Sequence, residues 1–402
     1  MPLADRPRNR QIWRLLNDAG ARKGILQLLL LLALTSAAWY FWTNAVANLT
    51  ARHMVSGFGF LSSPAGFDIE ERLIQWDPSD TNARAILVGL INTLGTTAVC
   101  IILGSMIGLA LALMRLSRNA LYRFTSKALI EFFRNIPQLL VILFIYFAVL
   151  QSLPSMTHSV TIGDAVFLNV RGLYLPALAL PSDPRGLYEF PLIVAFISGA
   201  ALSIGKLLPR WVPKSQRFRV IRVLKNIPWQ VGTLCLSTMV ILVALAELTP
   251  IYPKLQGFNY VGGMRIFPEF LALATGLTIT GSVYIAEIIR AGVLSVPAGQ
   301  AEAARSLGLT RWQINRLVVF PQALRVIIPP LSSQYMNIAK STTLGVAIAY
   351  ADLVQIFVGT VLNHTGQEIE IMFITLCIYL AINLFISTAM NILNNKTRLV
   401  ER

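Results

Sequence analysis

The chain has 402 residues, 55% of them hydrophobic and 13% charged, with a mean hydropathy of +0.62. A soluble domain carries about a quarter charged residues, so this composition excludes an ordinary water-soluble globule and points to repeated membrane spans. The net charge of +15 fits topology signals in a membrane chain, and no nucleic-acid partner is expected.

Residues 1–23 form a basic segment ending in Arg22 and Lys23. From Gly24 to Ala51 no charge occurs. That run exceeds the apolar core of roughly 7–15 residues in a signal peptide. It ends in Trp39, Tyr40, Phe41 and Trp42, an interfacial belt, so 24–46 reads as a permanent span. The loop 52–85 holds Asp68, Glu70, Glu71, Asp77 and Asp80; it is either a solvated loop or a docking surface for an external partner. Span 86–114 contains GSMIG, with Gly104 and Gly108 at the spacing that lets helices approach closely. Span 136–153 follows a basic loop. Pro154, Pro176, Pro181 and Pro184 mark 154–189 as turn-rich. Spans are then expected at 190–208, 229–248, 268–289, about 327–353 and 371–392, each near the roughly 20 residues that cross a bilayer. Three of them are interrupted or bounded by charge, at Lys206, at Glu287, and at Lys340 with Asp352.

Eight spans with both termini cytoplasmic place 26 of the 34 Lys and Arg inside and 7 outside, with Lys340 left within a span. A miscounted span before the last would scramble that bias. Three cysteines, Cys100, Cys235 and Cys377, lie in apolar runs and read as packing residues without a disulfide or metal role. His53, His158 and His364 fall in outer loops far apart. GAALSIGKL, 199–207, lacks the Ser/Thr and the strand-to-helix turn of a phosphate-binding loop. No catalytic or cofactor-binding motif is present, so any ATP must be hydrolysed by another chain.

The stretch 296–325 reads as water-facing. Pro297 precedes a short helix with Ala301, Ala303 and Ala304, and Glu302 in its early part suits the helix dipole. Gly308 is a natural left-handed stop. Thr310 and Gln313 make a capping box that opens a second helix. That helix presents Trp312, Leu317 and Val318, and Pro321 is expected to bend or stop it. Two short helices with a glycine hinge follow, shaped for a groove on a rigid partner; an amphipathic helix lying on lipid is the alternative.

Glu302-Ala303-Ala304, then Gly308, then Val318, Phe320 and Pro321 resemble the EAA signature of ABC importer permeases, with Val and Phe replacing Ile and Leu. EFFRNIPQLLVILFIYF (131–147), GLINTLGTT (89–97), YIAEIIRAGV (284–293) and KSTTL (340–344) look like the polar amino-acid uptake subfamily. The long insertion resembles the larger permeases of general L-amino-acid transport systems. The resemblance implies an all-α integral membrane protein of about eight transmembrane helices. Its type I five-helix permease core would carry one additional N-terminal span and two inserted ones. The expected organisation is a cytoplasmic segment 1–23, a span 24–46 and a permease domain 86–392 with an insertion 154–267. The coupling loop 296–325 and a tail 393–402 complete it. It further implies a multi-pass bacterial inner-membrane protein with ABC ATPase subunits on the inner face and a second permease, read as a different chain. A periplasmic amino-acid-binding protein would deliver substrate. Glu302, Ala303, Ala304, Gly308 and Pro321 would couple to the ATPase.

Charges within spans default to functional candidates. Glu287, Lys340, Ser341, Thr342 and Thr343 are assigned to a substrate path for an amino-acid zwitterion. The competing readings are Glu287 as an i,i+3 partner of Arg290 and Lys340 in a structural ion pair. A stand-alone ion-coupled secondary transporter is the alternative function.

Overall fold

A computed structural model describes residues 19–51, 57–163, 165–179, 249–257 and 259–397. The expected spans 190–208 and 229–248, most of the N-terminal segment, His53, Cys235 and residues 398–402 lie outside the described residues.

Helix α1, Ala19–Ala51, is apolar, and its span Arg22–Asn44 is wholly exposed. Residues 57–81 then form a compact cap in which Phe60, Ala65, Ile69 and Trp76 are buried. Helix α2, Asn82–Leu116, starts where Thr81 accepts a hydrogen bond from the Arg84 amide, satisfying one of the orphan donors of a first turn. Helix α3, Ala120–Arg134, is capped by Asn119, which accepts from the Leu121 amide at 2.9 Å. It is amphipathic, with Ile130 buried while Phe124 and Phe132 are exposed. At Asn135–Pro137 the chain turns by 102° into α4, Gln138–Leu150. The residue before a proline avoids the helical region, which places the corner there. The expected loop 115–135 is therefore largely a helix, and the span at 136–153 is the short second arm of a bent pair.

The outer segments expected as loops contain strands too short to leave a periodic signal. β1 (Val160–Ile162), β2 (Val166–Asn169) and β3 (Gly172–Leu175) form an antiparallel sheet in which β3 pairs with β8 (Met264–Ile266). β4 (Ala177–Ala179) pairs with β5 (Thr249–Ile251), and β6 (Lys254–Gln256) with β7 (Asn259–Val261). The β4–β5 pair sets the two ends of 180–248 side by side.

Helix α5, Pro268–Leu294, begins with proline at its first position, where the missing N–H is no loss. It forms the centre of the bundle and packs most extensively on α2. The stretch GSMIG makes this possible. A Cβ on Gly108 would lie 2.8 Å from the Ser282 carbonyl oxygen, and one on Gly104 would lie 3.7 Å from the Thr278 carbonyl oxygen. Cys100, Leu273, Leu277, Ile285 and Ile338 fill the middle of the core.

After the short helix α6 (Ala298–Ser306), α7 (Arg311–Ile314) passes through a wide turn at Asn315–Val319 into α8, Phe320–Ser341. The expected span 327–353 is not one helix: α8 ends at Ser341, a tighter 3-10 turn covers Thr342–Ile348, and Ala349 is left-handed at φ 59°. The hydroxyls of Thr342 and Thr343 donate to Ala339 O at 3.0 Å and Lys340 O at 2.8 Å, competing for the carbonyls that would otherwise continue the helix. A wide turn at Gln355–Val361, α9 (Leu362–Thr365) and α10 (Glu368–Thr397) complete the chain.

The fold is mostly helical. Among the described residues four helices are long and apolar enough to span a bilayer, or five with the bent pair. Of the cysteines, Cys100 is buried as expected, whereas Cys377 is exposed on α10.

Candidate functional site

The stretch 296–325 folds largely as its local signals dictate. Pro297 precedes α6, and the Gly308 and Leu309 amides donate to Arg305 O at 2.9 Å and Ala304 O at 3.3 Å. These two bonds close the helix end in a Schellman motif around Gly308 at φ 75°. The Thr310 amide donates to Gln313 Oε1 at 2.8 Å and the Gln313 amide to Thr310 Oγ1 at 3.4 Å, completing the capping box. Ala304 and Ile314 are 4% exposed, and α6 packs on α7 and on the wide turn that follows it. Glu302 and Ala303 face outwards, and Leu307 and Trp312 are 80% and 64% exposed.

Two details differ from the sequence reading. Glu302 is the fifth residue of α6 rather than part of its first turn, so the helix dipole does little for it. Pro321 does not stop the second helix. It stands at the start of α8, and the wide turn just before it absorbs the missing amide. The elbow is thus one short helix followed by the beginning of a long one.

The five residues assigned to a substrate path separate into two groups. Glu287 on α5 accepts from Arg290 Nε at 3.0 Å and from its terminal nitrogen at 2.8 Å, with Arg115 Nε 4.0 Å away. Its charge is met within the chain, as the i,i+3 reading expects. Lys340 is exposed and has no acidic partner within 4 Å among the described residues. Thr342 is buried, while Ser341 and Thr343 are half-buried beside it.

Lys340 belongs to a polar face on α8. Ser333, Asn337 and Lys340 are exposed, and Gln334 and Ser341 are half-buried along the same side. The spacing of 333, 337 and 340 is that of one helix face. At the corner between α3 and α4 this face borders a cavity of about 510 Å³ lined by Arg134, Gln138, Thr280, Tyr284, Gln334 and Asn337. Gln138 donates to Thr280 Oγ1 at 2.8 Å, and the Arg134 guanidinium lies 6.0 Å from the Tyr284 ring centroid. None of these six was singled out from the sequence. The usable signal was the polar i,i+3 pair Gln334 and Asn337 in a span; Gln138 and Thr280 meet only through tertiary packing.

Comparison with known proteins bears on what this arrangement serves. Residues 193–399 match the family described as binding-protein-dependent transport system inner membrane component. The chain is 44% identical over 384 residues, 95% of either chain, to the putative amino-acid ABC transporter permease protein YhdX of Escherichia coli. It is 39% identical to the general L-amino acid transport system permease protein AapQ of Rhizobium johnstonii, covering 96% of this chain and 94% of that one. The glutamate/glutamine/aspartate/asparagine transport system permease protein BztB of Rhodobacter capsulatus is 32% identical, with 96% of each chain covered. Similarity over nearly the whole length means that these relatives share the added segments as well as the bundle. The chain is a member of the ABC-transporter permeases, the integral inner-membrane components of binding-protein-dependent transport systems.

Proposed function

We propose that this chain forms one half of the transmembrane path of an amino-acid importer and has no catalytic site of its own. The elbow at α6 is the contact through which a separate ATPase subunit drives it. The observation that carries this reading is the elbow itself: a short exposed helix fixed by a Schellman motif at one end and followed by a capping box. Glu302, Ala303, Ala304 and Gly308 shape it, and Pro321 stands where it enters the bundle. Exposed Leu307 and Trp312 offer the apolar contact that a groove on a partner requires.

The polar face of α8 gives the second half of the argument. Ser333, Asn337 and Lys340 cannot face lipid cheaply, yet this chain leaves them exposed. A second permease, read as a different chain, would enclose them in a water-accessible seam, with Lys340 and the hydroxyls of Ser341, Thr342 and Thr343 along the route. The side-by-side ends of 180–248 support an inserted pair of spans, since an even number of crossings returns the chain to its starting side. With 24–46 as a further span and 393–402 as a tail, both termini lie in the cytoplasm. The outer cap and strands would receive a periplasmic amino-acid-binding protein.

Reconstitution tests the reading. Uptake of labelled amino acids into proteoliposomes is expected to require the ATPase subunits, the binding protein and ATP, and to survive collapse of ion gradients. Uptake by this chain alone, driven by a proton or sodium gradient, would overturn it in favour of a secondary transporter, a reading to which family membership lends no support.

A further inference from the structure

On the outer face, well away from the elbow and the α3–α4 corner, lies a second cavity of about 420 Å³. It is within the size range of small-molecule sites. Its walls come from the cap (Glu70, Glu71), the β2–β3 turn (Arg171), β8 (Arg265), the first turn of α5 (Glu269) and the stretch around Ala349 and Ala351. Both signs of charge therefore converge on one concavity from four separate elements.

The charged groups are unequally satisfied. The Glu269 carboxylate is held by the Tyr146 hydroxyl at 2.8 Å. Arg265 is steered by its Nε bond to Arg171 O at 3.1 Å and by the Phe267 ring, 4.1 Å from its guanidinium carbon. Among the described residues its one ion-pair contact within 4.0 Å is with the exposed Glu70. Arg171 donates to Asn259 Oδ1 at 2.7 Å. Glu71 is mostly covered, and among the described residues its carboxylate makes no hydrogen bond or ion pair. Burial, with Glu269 adding to it and Arg265 opposing, pushes that carboxyl up to about 8. An acid buried beside a carboxylate keeps its proton while the space is empty and gives it up when a cation takes that place. A guanidinium oriented from two sides yet only loosely paired calls for a carboxylate.

We infer that this outer cavity is an amino-acid site, in which Glu71 and Glu269 take the α-ammonium group and Arg265, backed by Arg171, takes the α-carboxylate. It rests on the amino-acid reading above and adds a waiting position outside the bundle. The wall at Ala349 and Ala351 follows in sequence directly from the polar end of α8, so the cavity stands at the outer end of the same route. A divalent metal would satisfy the two carboxylates but leave the guanidinium without a role, so a zwitterion is the occupant that uses both halves.

The test is ligand protection from the outside. Gln151, exposed on the cavity wall, is changed to Cys in the full transporter complex, with Thr360→Cys as a second cavity-wall position in case the first fails to assemble. Right-side-out vesicles are treated with a membrane-impermeant thiol reagent, and labelling above that of the parent chain is followed with each of the common L-amino acids, and with Mg²⁺ alone. At least one amino acid is expected to slow labelling about tenfold at a concentration about ten times its dissociation constant, while Ile162→Cys, exposed on β1, is not protected. Adding Glu269→Gln or Arg265→Gln is expected to raise the dissociation constant about tenfold, as loss of a charge-assisted contact does, which leaves only about twofold slowing at the same concentration. Protection by no amino acid, protection by Mg²⁺ instead, or protection unchanged in both variants overturns the site. ATP-driven uptake is measured in the same preparation. Uptake that persists without protection removes the cavity alone, whereas uptake that needs no ATPase removes the underlying transport reading.

Discussion

Asn92, in the first third of α2, donates from its amide to the carbonyl of Ala351 at 2.8 Å, across 259 residues of chain. The same nitrogen donates to Glu71 O at 2.8 Å, and the side-chain oxygen accepts from the Leu73 amide at 3.2 Å. One buried side chain thus fastens the outer cap and the irregular stretch after α8 to a spanning helix. Its neighbours extend the attachment. Thr93 accepts from the Leu353 amide at 3.0 Å, Thr96 shares a 2.5 Å bond with the Tyr350 hydroxyl, and a Cβ on Gly89 would lie 2.8 Å from Leu353 Cα. Asn92→Ala removes three bonds and leaves buried backbone groups unpaired, each costing about 1–3 kcal/mol. A lower melting temperature of the purified complex is the expected result, together with faster proteolysis of the outer cap. Unchanged protection of the cap would show that Asn92 is not its anchor.

The two glycines of GSMIG predict opposite outcomes for the same substitution. Gly104→Ala adds a methyl at ordinary contact distance from α5, with nothing closer than 3.7 Å. Gly108→Ala drives one to 2.8 Å from the Ser282 carbonyl oxygen and from an Ile285 methyl. Backbone cannot move aside as a side-chain end can, so overpacking of about 1–3 kcal/mol is expected at 108 and little at 104. Thermal melts of the two variants side by side decide it; equal melting temperatures would mean that the α2–α5 contact is looser than its geometry.

What the sequence disclosed follows the range of the forces involved. The elbow was legible because a capping box, a Schellman glycine and an alanine-rich helix are decided by residues within a few positions of one another. The spanning helices were legible wherever apolar runs were long. The corner at Asn135–Pro137 was hidden because α3 is amphipathic and lies in a basic stretch that reads equally well as a loop. The break after Ser341 depends on threonine hydroxyls turning back on their own helix, which hydropathy does not register. The outer strands have three or four residues each, too few for alternation to show. The pairing of Glu287 with Arg290 was visible as a spacing, whereas the cavity at the corner joins Gln138, Thr280 and Asn337 from three distant segments.

Glu71 gives the outer cap a pH dependence of definite sign. Its carboxyl moves from 4.5 to about 8 on folding, chiefly through burial. The folded protein therefore holds this proton more tightly than the unfolded chain. Stability from this group is complete below pH 4.5 and is lost as pH rises through about 8. Glu269, Glu70, Asp68, Arg265 and Arg171 line the same space, so the slope is read by difference: the wild-type melting temperature falls between about pH 5 and pH 8.5 more steeply than that of Glu71→Gln. Parallel curves would place the titration elsewhere.

At Gly308 the space around the backbone isolates conformation from packing. A Cβ there would meet nothing within 4 Å, yet φ is 75°. Gly308→Val therefore introduces no clash with a neighbour and acts only through the left-handed backbone, at a cost of about 1–2 kcal/mol. Asn tolerates that conformation better than a β-branched residue, so Gly308→Asn is expected to be the milder change. Because α6 packs on α7 and the wide turn after it and not on the buried centre of the bundle, the valine variant is expected to insert and melt nearly as the wild type does while losing most ATP-driven uptake and stimulated ATP hydrolysis. The asparagine variant is expected to keep a larger share of both. Normal uptake by Gly308→Val would show that the left-handed turn does not set the position of α6 for the proposed ATPase contact, and equal loss in the two variants would point to the bulk of the new side chain instead.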